Sequence, residues 1–270
     1  MVKPEYELYL SSDTTRWRMK KPHFHEDVEV LFALTGEGEF FVENELYPIR
    51  PGSLFLFSEG VIHQSMASGA YSRYVLHVSP ETLREFSTRS SDIPAFIRRK
   101  PVRCAALEDT RYDRLLEKLR RLGKAQDDKF CADIRKSLQL LDVLVRVITF
   151  FSGAESERKL QKPEFVQITP VLRYIQSNID SPITLDSLAK TFFISKYYLC
   201  HLFKSATGLS VMDYIINYRI LRARELLRKG IRVQEAADRA GFKNCAHFTR
   251  TFKLLTGIPP KQYAKKYVGL

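Results

Sequence analysis

Nowhere in this chain of 270 residues do two cysteines stand two residues apart. The four that exist, Cys104, Cys131, Cys200 and Cys245, are scattered, which argues against a disulfide framework and against a zinc finger. Long hydrophobic runs are missing too: charge interrupts every apolar stretch within about a dozen residues, too short to span a bilayer. The N-terminus, Met1-Val2-Lys3-Pro4-Glu5-Tyr6, has no apolar signal-like segment. A cytoplasmic protein with no membrane partner is therefore expected. What remains, 44% hydrophobic and 27% charged residues, is ordinary for a soluble chain long enough for two cores.

Charge is unevenly placed. From Pro182 to Leu270 there are nine Lys and seven Arg against three Asp and two Glu, so +11 of the net +12 lies in one third of the chain. A local basic surplus favours a polyanion partner through counterion release from phosphates. A membrane surface or a need for solubility would give the same charge reading, so it needs a second, independent signal.

Residues 23 to about 80 read as short strands, among them Phe40-Phe41-Val42, Ser53 to Phe57 and Tyr74 to Val78. Gly36-Glu37-Gly38, Glu43-Asn44-Glu45 and Pro51-Gly52 punctuate them, the pattern of an antiparallel barrel or sandwich. After Pro80 the character changes. Asp113 to Gln126 and Phe130 to Phe151 look helical, and in the second Ile134, Leu138, Leu141, Leu144, Val145 and Ile148 recur at helical spacing. That stripe predicts a helix packed on the barrel, a dimer helix, or both. Ser152 to Lys159 is polar and aperiodic, a linker. The expected organisation is a sensing barrel over 1–80, a helical extension over 81–152, a linker over 153–164 and an all-α domain over 165–270.

The second signal is an internal duplication. Leu185-Asp-Ser-Leu188-Ala189 reappears as Val233-Gln-Glu-Ala236-Ala237, offset by 48 residues. Leu199-Cys-His-Leu-Phe203-Lys204 through Gly208 reappears as Phe248-Thr-Arg-Thr-Phe252-Lys253 through Gly257, offset by 49. The extra residue falls between the two helices of each copy, where a turn can absorb it. Thr184, Ser195 and Asn244 are suited to cap helices, and Ser210-Val-Met-Asp213 opens a long helix ending at Gly230. Gly241 supplies a tight turn at positive φ. Leu199, Phe203, Phe248 and Phe252 are core positions. In a helix-turn-helix the second helix lies in the major groove, its exposed N-terminal half at the base edges.

Residues from about Gln167 to Tyr267 resemble the AraC/XylS-type transcription regulators. The resemblance is carried by Ala237-Asp-Arg-Ala-Gly241-Phe242-Lys-Asn244-Cys-Ala-His-Phe248-Thr-Arg250-Thr-Phe252-Lys253, by Gly257-Ile-Pro259-Pro260 and Tyr263, and by Tyr218-Arg219-Ile220-Leu221-Arg222-Ala223. It implies double-stranded DNA as partner. By motif position it places Lys196, Tyr197, Cys200 and His201 on the first reading face and Asn244, Ala246, His247 and Arg250 on the second. Lys204 and Lys253 are suited to phosphates. The first reading helix lacks Arg and Gln, the common bidentate readers, and Arg232 stands where a capping Ser or Thr is usual.

In the N-terminal part, His23-Phe-His25-Glu-Asp-Val-Glu29, followed by Gly36, and then Gly52, Glu59-Gly60 and His63 resemble the two cupin motifs. Ser58 replaces the usual proline and Ala67 the usual Asn. Strand alternation would put His23, His25, Asp27 and Glu29 on one face and Val28, Val30, Phe32 and Leu34 on the other. Three readings stay open: a metal-free pocket for a small polar ligand, which is preferred; a divalent metal (Fe, Mn, Ni or Zn) at His23, His25, Glu29 and His63; and a catalytic cupin. No cofactor is required by the first.

The expected fold is α+β and multidomain: an N-terminal antiparallel cupin-like β-barrel with a helical extension, then an all-α domain with two helix-turn-helix units. The expected protein is a DNA-binding regulator rather than an enzyme. It is a homodimer controlled by a small-molecule effector, with a sugar or sugar acid favoured on resemblance, and RNA polymerase is a further candidate partner. The segment Tyr6 to Lys21, with Trp17, reads either as a cover over the barrel mouth or as a plain edge strand. The rival function is a metal-dependent cupin enzyme with an accessory helical domain.

Overall fold

A computed structural model describes residues 4–13, 23–42, 45–124, 130–153, 160 and 162–268. Contacts divide the chain into two compact units, one built mainly from residues up to Leu160 and the other from Gln161 onward.

In the first unit the described strands are β1 (Tyr6–Asp13), β2 (Val28–Thr35), β3 (Gly38–Val42), β4 (Glu45–Ile49), β5 (Ser53–Phe57), β6 (His63–Ala67), β7 (Tyr71–Val78) and β8 (Val102–Ala106). They form a five-stranded sheet in the order β1-β7-β2-β5-β8 and a three-stranded sheet in the order β4-β3-β6, with antiparallel pairing throughout. Four helices follow the seventh strand: α1 (Pro80–Glu85), α2 (Ile93–Arg98), α3 (Asp109–Gly123) and α4 (Ala132–Gly153).

Side-chain alternation along β2 divides two cores. Val28, Val30 and Phe32 turn toward the helices, where they join Leu115 and Leu119 of α3 and Leu140, Val143, Leu144 and Val147 of α4. Leu31 and Ala33 turn the other way and meet Phe40, Val42, Tyr47 and Ile49 of the small sheet. The unit is thus layered as small sheet, large sheet and helices. Each large apolar side chain closed into these cores contributes about 1.5–3 kcal/mol relative to exposure.

Two expectations change here and two that were open are narrowed. The large sheet does not end near residue 80: Val102–Ala106, expected within the helical extension, pair with β5 as its edge strand. Two buried polar side chains hold that connection. The Ser58 hydroxyl donates to the Ile97 and Lys100 carbonyls at 2.9 and 3.0 Å, and Arg103 donates to the Ile97 and Phe96 carbonyls at 3.0 and 2.6 Å. Second, the described part of the N-terminal segment is an edge strand on β7, with Tyr6 opposite Val78; Trp17 lies outside the described residues. Third, the apolar stripe of α4 is two stripes. Leu140, Val143, Leu144, Val147 and Phe151 are buried, whereas Ile134, Leu138 and Val145 are 45%, 60% and 49% exposed. Fourth, β2 begins only at Val28, so His23, His25 and Asp27 precede the strand and strand alternation does not gather them.

The second unit is helical: α5 (Pro163–Ser177), α6 (Leu185–Thr191), α7 (Lys196–Thr207), α8 (Val211–Arg228), α9 (Val233–Arg239), α10 (Cys245–Thr256) and α11 (Pro260–Val268). The central α8 touches α7, α9, α10 and α11 through buried residues that include Tyr214, Ile220, Ala223 and Leu227. Side-chain caps start these helices where the sequence offers them. Thr184 and Ser187 form a reciprocal capping box; Ser195, Ser210 and Asn244 accept from Tyr198, Asp213 and His247 amides. Arg232 stands at the start of α9 and supplies no side-chain cap.

Candidate nucleic-acid interface and imidazole cluster

The two copies of the repeat fold alike. In each, a seven-residue helix leads through a tight turn to a twelve-residue helix that ends at a left-handed glycine, Gly208 or Gly257. The turns match bond for bond: the Phe193 and Ile194 amides donate to the Lys190 and Ala189 carbonyls, and the Gly241 and Phe242 amides to Asp238 and Ala237. Phe193 and Gly241 share a positive φ, 54° and 84°. The offset grows from 48 to 49 immediately afterwards: Ser195 follows Ile194 directly, whereas Lys243 intervenes before Asn244.

On α7, Leu199, Leu202 and Phe203 are buried while Lys196, Tyr197, Cys200, His201 and Lys204 are exposed. On α10, Phe248 and Phe252 are buried while Ala246, His247, Arg250 and Lys253 are exposed, with Asn244 exposed at the cap. Every residue assigned to a reading face or to phosphates therefore lies on the outer surface. Several carry internal engagements. Lys196 Nζ sits 2.8 Å from Asp186 Oδ1, an exposed pair worth little in water. Asn244 Oδ1 is occupied by the His247 amide at 2.9 Å, which leaves its NH2 group to donate elsewhere. Tyr197 stacks on His201, ring centroids 6.4 Å apart.

A second constellation lies outside the repeat. His23, His25, Glu29 and His63 offer ligand atoms that all lie within 4.8 Å of one another. Glu29 is carried by β2, on the side of the strand opposite Val28 and Val30, and His63 opens β6. His25 reaches Glu29 from the segment before β2. Its Nε2 lies 2.6 Å from Glu29 Oε2, and His63 Nε2 lies 3.3 Å from the same oxygen. Burial alone would push the Glu29 carboxyl up. The charge of His63, the hydrogen bond from His25 and the close approach of His63 and His77 instead hold it well below the usual carboxylate range.

The other ring nitrogens matter as much. His25 Nδ1 is 2.8 Å from the Asp27 carbonyl oxygen and His63 Nδ1 is 3.0 Å from that of Val61. A carbonyl oxygen only accepts, so each Nδ1 carries its proton and a neutral ring presents a lone pair at Nε2. Both lone pairs then face a carboxylate oxygen that also only accepts. Such an arrangement needs a cation, either protons on the rings or a metal ion. Imidazoles oriented by Nδ1–H to backbone carbonyls are the second shell that metal-binding histidines commonly have.

Comparison with known proteins agrees with this division. Residues 6–143, just over half of the chain, match the model of the AraC-like ligand binding domain, and residues 188–266 match a helix-turn-helix domain. The chain belongs to the AraC family of transcriptional regulators. It is 27% identical over 250 residues to the HTH-type transcriptional regulator YfiF of Bacillus subtilis, covering 91% of this chain and 79% of that one. It is 31% identical over 99 residues to the multiple antibiotic resistance protein MarA of Salmonella typhimurium, covering 36% of this chain and 78% of that one. Among solved structures it is similar to Vibrio cholerae ToxT bound to an unsaturated fatty acid, at 14% identity and a TM-score of 0.41 over 100% of this chain and 99% of that one.

As an AraC-family member the protein is a DNA-binding transcriptional regulator with a ligand-binding domain, and its family is one of regulators rather than enzymes. Among the described residues no helix is long and apolar enough to cross a membrane. Two residues at these sites escaped the sequence reading. His77 approaches Glu29, but from a strand that neither cupin motif reaches. Phe193 is 95% exposed at the turn before α7, and its register with Gly241 in the repeat was the signal that could have marked it.

Proposed function

We propose that this AraC-family regulator acts in the cytoplasm as a homodimer whose DNA affinity is set by a divalent metal together with a small polar effector. The ion would be held by His23, His25, Glu29 and His63. The observation that carries this reading is the pair of Nδ1-anchored imidazoles aimed, with a carboxylate, at one point. The sequence left metal-free and metal-holding pockets open, and this orientation favours the second. Three imidazoles and a carboxylate suit a transition metal of intermediate softness. A sugar acid, the effector class favoured on resemblance, offers neighbouring carboxylate and hydroxyl oxygens to such an ion. Preferential binding to one arrangement of the protein shifts the population competent for DNA.

On the DNA side, Lys196, Tyr197, Cys200 and His201 of α7 and Asn244, Ala246, His247 and Arg250 of α10 face the bases, with Lys204 and Lys253 on phosphates. The equivalent exposure of the two faces and the basic surplus of this unit support that assignment. For the dimer, Ile134, Leu138 and Val145 recur on one outer face of α4 and offer an apolar seam to a second copy.

The test joins metal analysis to DNA binding. Protein purified without chelator should contain a stoichiometric divalent metal, and removing it should change affinity in a DNA titration. Failure to take up Fe, Mn, Ni or Zn when each is offered would overturn the metal reading.

A further inference from the structure

The four-residue set leaves out an imidazole that faces the same oxygen. β7 places His77 directly opposite Glu29 of β2 in the sheet register, so both side chains leave the same face. His77 Nε2 lies 3.4 Å from Glu29 Oε2, the atom already approached by His25 and His63. This Nε2 is buried and has no hydrogen-bond partner among the described residues; its approach to Glu29 is a close contact without hydrogen-bond geometry. The ring is flanked on two sides. It lies tilted against His25 at a centroid distance of 4.5 Å and receives the Tyr9 ring edge-on at 6.0 Å. Four of the six histidines of the chain thereby gather around a single carboxylate.

A buried imidazole nitrogen that makes no hydrogen bond, aimed at an anion beside two rings whose lone pairs point the same way, has the position of a donor to a shared cation. Resting on the metal reading above, we propose that His77 is a fifth ligand of that ion. The set then becomes four imidazoles and one carboxylate. Five protein donors exceed the closed tetrahedral shell usual for structural zinc. In an octahedral field they leave one position open, where an oxygen of an exogenous ligand can bind. The site would therefore prefer ions that accept five or six donors, such as Fe, Mn, Ni or Co, and would sense its effector at the sixth position. His77 lies outside the group whose atoms are mutually within 4.8 Å, so it completes the shell by a small side-chain movement.

Cobalt(II) reports coordination number directly, because its visible bands are weak in six-coordinate and intense in four-coordinate surroundings. The full-length protein and its His77→Phe and His77→Gln variants would be titrated with Co(II), with circular dichroism to confirm that each is folded. The expected result is weak bands in the wild type. In both variants the bands gain intensity or shift, and Co(II) affinity falls by about 10-fold or more, the scale of effects seen even for residues behind the ligands. An unchanged spectrum overturns the fifth-ligand proposal, whether or not affinity falls; a fall with an unchanged spectrum would make His77 a positioning residue for Glu29. A wild-type protein that binds no Co(II) fails earlier, at the metal reading itself, and takes the fifth ligand down with it.

Discussion

The duplicated turns permit a paired test with opposite signs. Gly241 has φ +84°, and a Cβ built there would lie 2.5 Å from the Ile179 carbonyl oxygen and 2.8 Å from Arg219 Nε. Those two groups are bonded to each other at 3.1 Å, so neither can retreat without breaking that bond. Gly241→Ala therefore adds a left-handed conformation costing about 1–2 kcal/mol and strains a charge-assisted bond worth about 1.5–3 kcal/mol. The unfolded chain returns only about 0.4–1 kcal/mol through its lost freedom. The net expectation is a loss of about 2–4 kcal/mol. At the matching position of the first copy, Phe193 bears the same left-handed backbone at φ 54° with its ring 95% exposed. Phe193→Gly relieves about 1–2 kcal/mol of strain against about 0.4–1 kcal/mol of added unfolded-state entropy. It should leave the turn unchanged or up to about 1.5 kcal/mol more stable. Hydrogen exchange by mass spectrometry on the full chain, read on peptides covering α6–α7 and α9–α10, gives each local opening free energy. A neutral Gly241→Ala, or a Phe193→Gly that loses more than about 1 kcal/mol, would refute the equivalence of the two turns.

Three further outcomes are expected. Arg250→Ala should weaken DNA binding by about 1–3 kcal/mol and relax preference at one base position; unchanged affinity in a footprinting titration would remove it from the reading face. Lys253→Ala should lower the slope of log affinity against log salt by about one, and an identical slope would deny it a phosphate contact. Leu138→Lys places charge on the outer face of α4 at a side chain that is 60% exposed. It should dissociate the dimer in sedimentation while leaving thermal stability within about 0.5 kcal/mol, and a dimer that persists would move the interface elsewhere.

How much could be read from the residues alone depended on whether the signal was local. The helix-turn-helix pair was legible because caps, a left-handed turn and a basic outer face all lie within a few dozen residues, and the chain states them twice. Even the one-residue growth of the offset falls at the turn that has room for it, at Lys243. The cluster of His23, His25, Glu29 and His63 was legible as a list but not as a geometry. Alternation was extended back through His23, whereas β2 starts at Val28 and the rings arrive from a bent segment. His77 was invisible because its nearness to Glu29 is created by the pairing of β2 with β7, more than forty residues apart, which no spacing records. β8 was hidden for the same reason. Five residues that include a buried arginine look nothing like a strand until β5 and the carbonyls at the end of α2 give Arg103 its partners.

Structural equivalence of the two reading helices does not make them chemically equal. In the 49-residue register Lys204 corresponds to Lys253, so both copies keep a cation where the helix would pass a phosphate. His201 corresponds to Arg250, and there the copies part. A guanidinium can donate two parallel hydrogen bonds to guanine O6 and N7, whereas an imidazole offers one directional contact and already lies against Tyr197. Lys196, at the start of α7, must exchange its pair with Asp186 before it can meet DNA. An exposed pair of that kind gives way cheaply, so it tunes the approach without blocking it. On the proposed reading, α10 supplies most of the base discrimination. α7 contributes charge, stacking area and register, and the shared α8 core fixes the geometry between them.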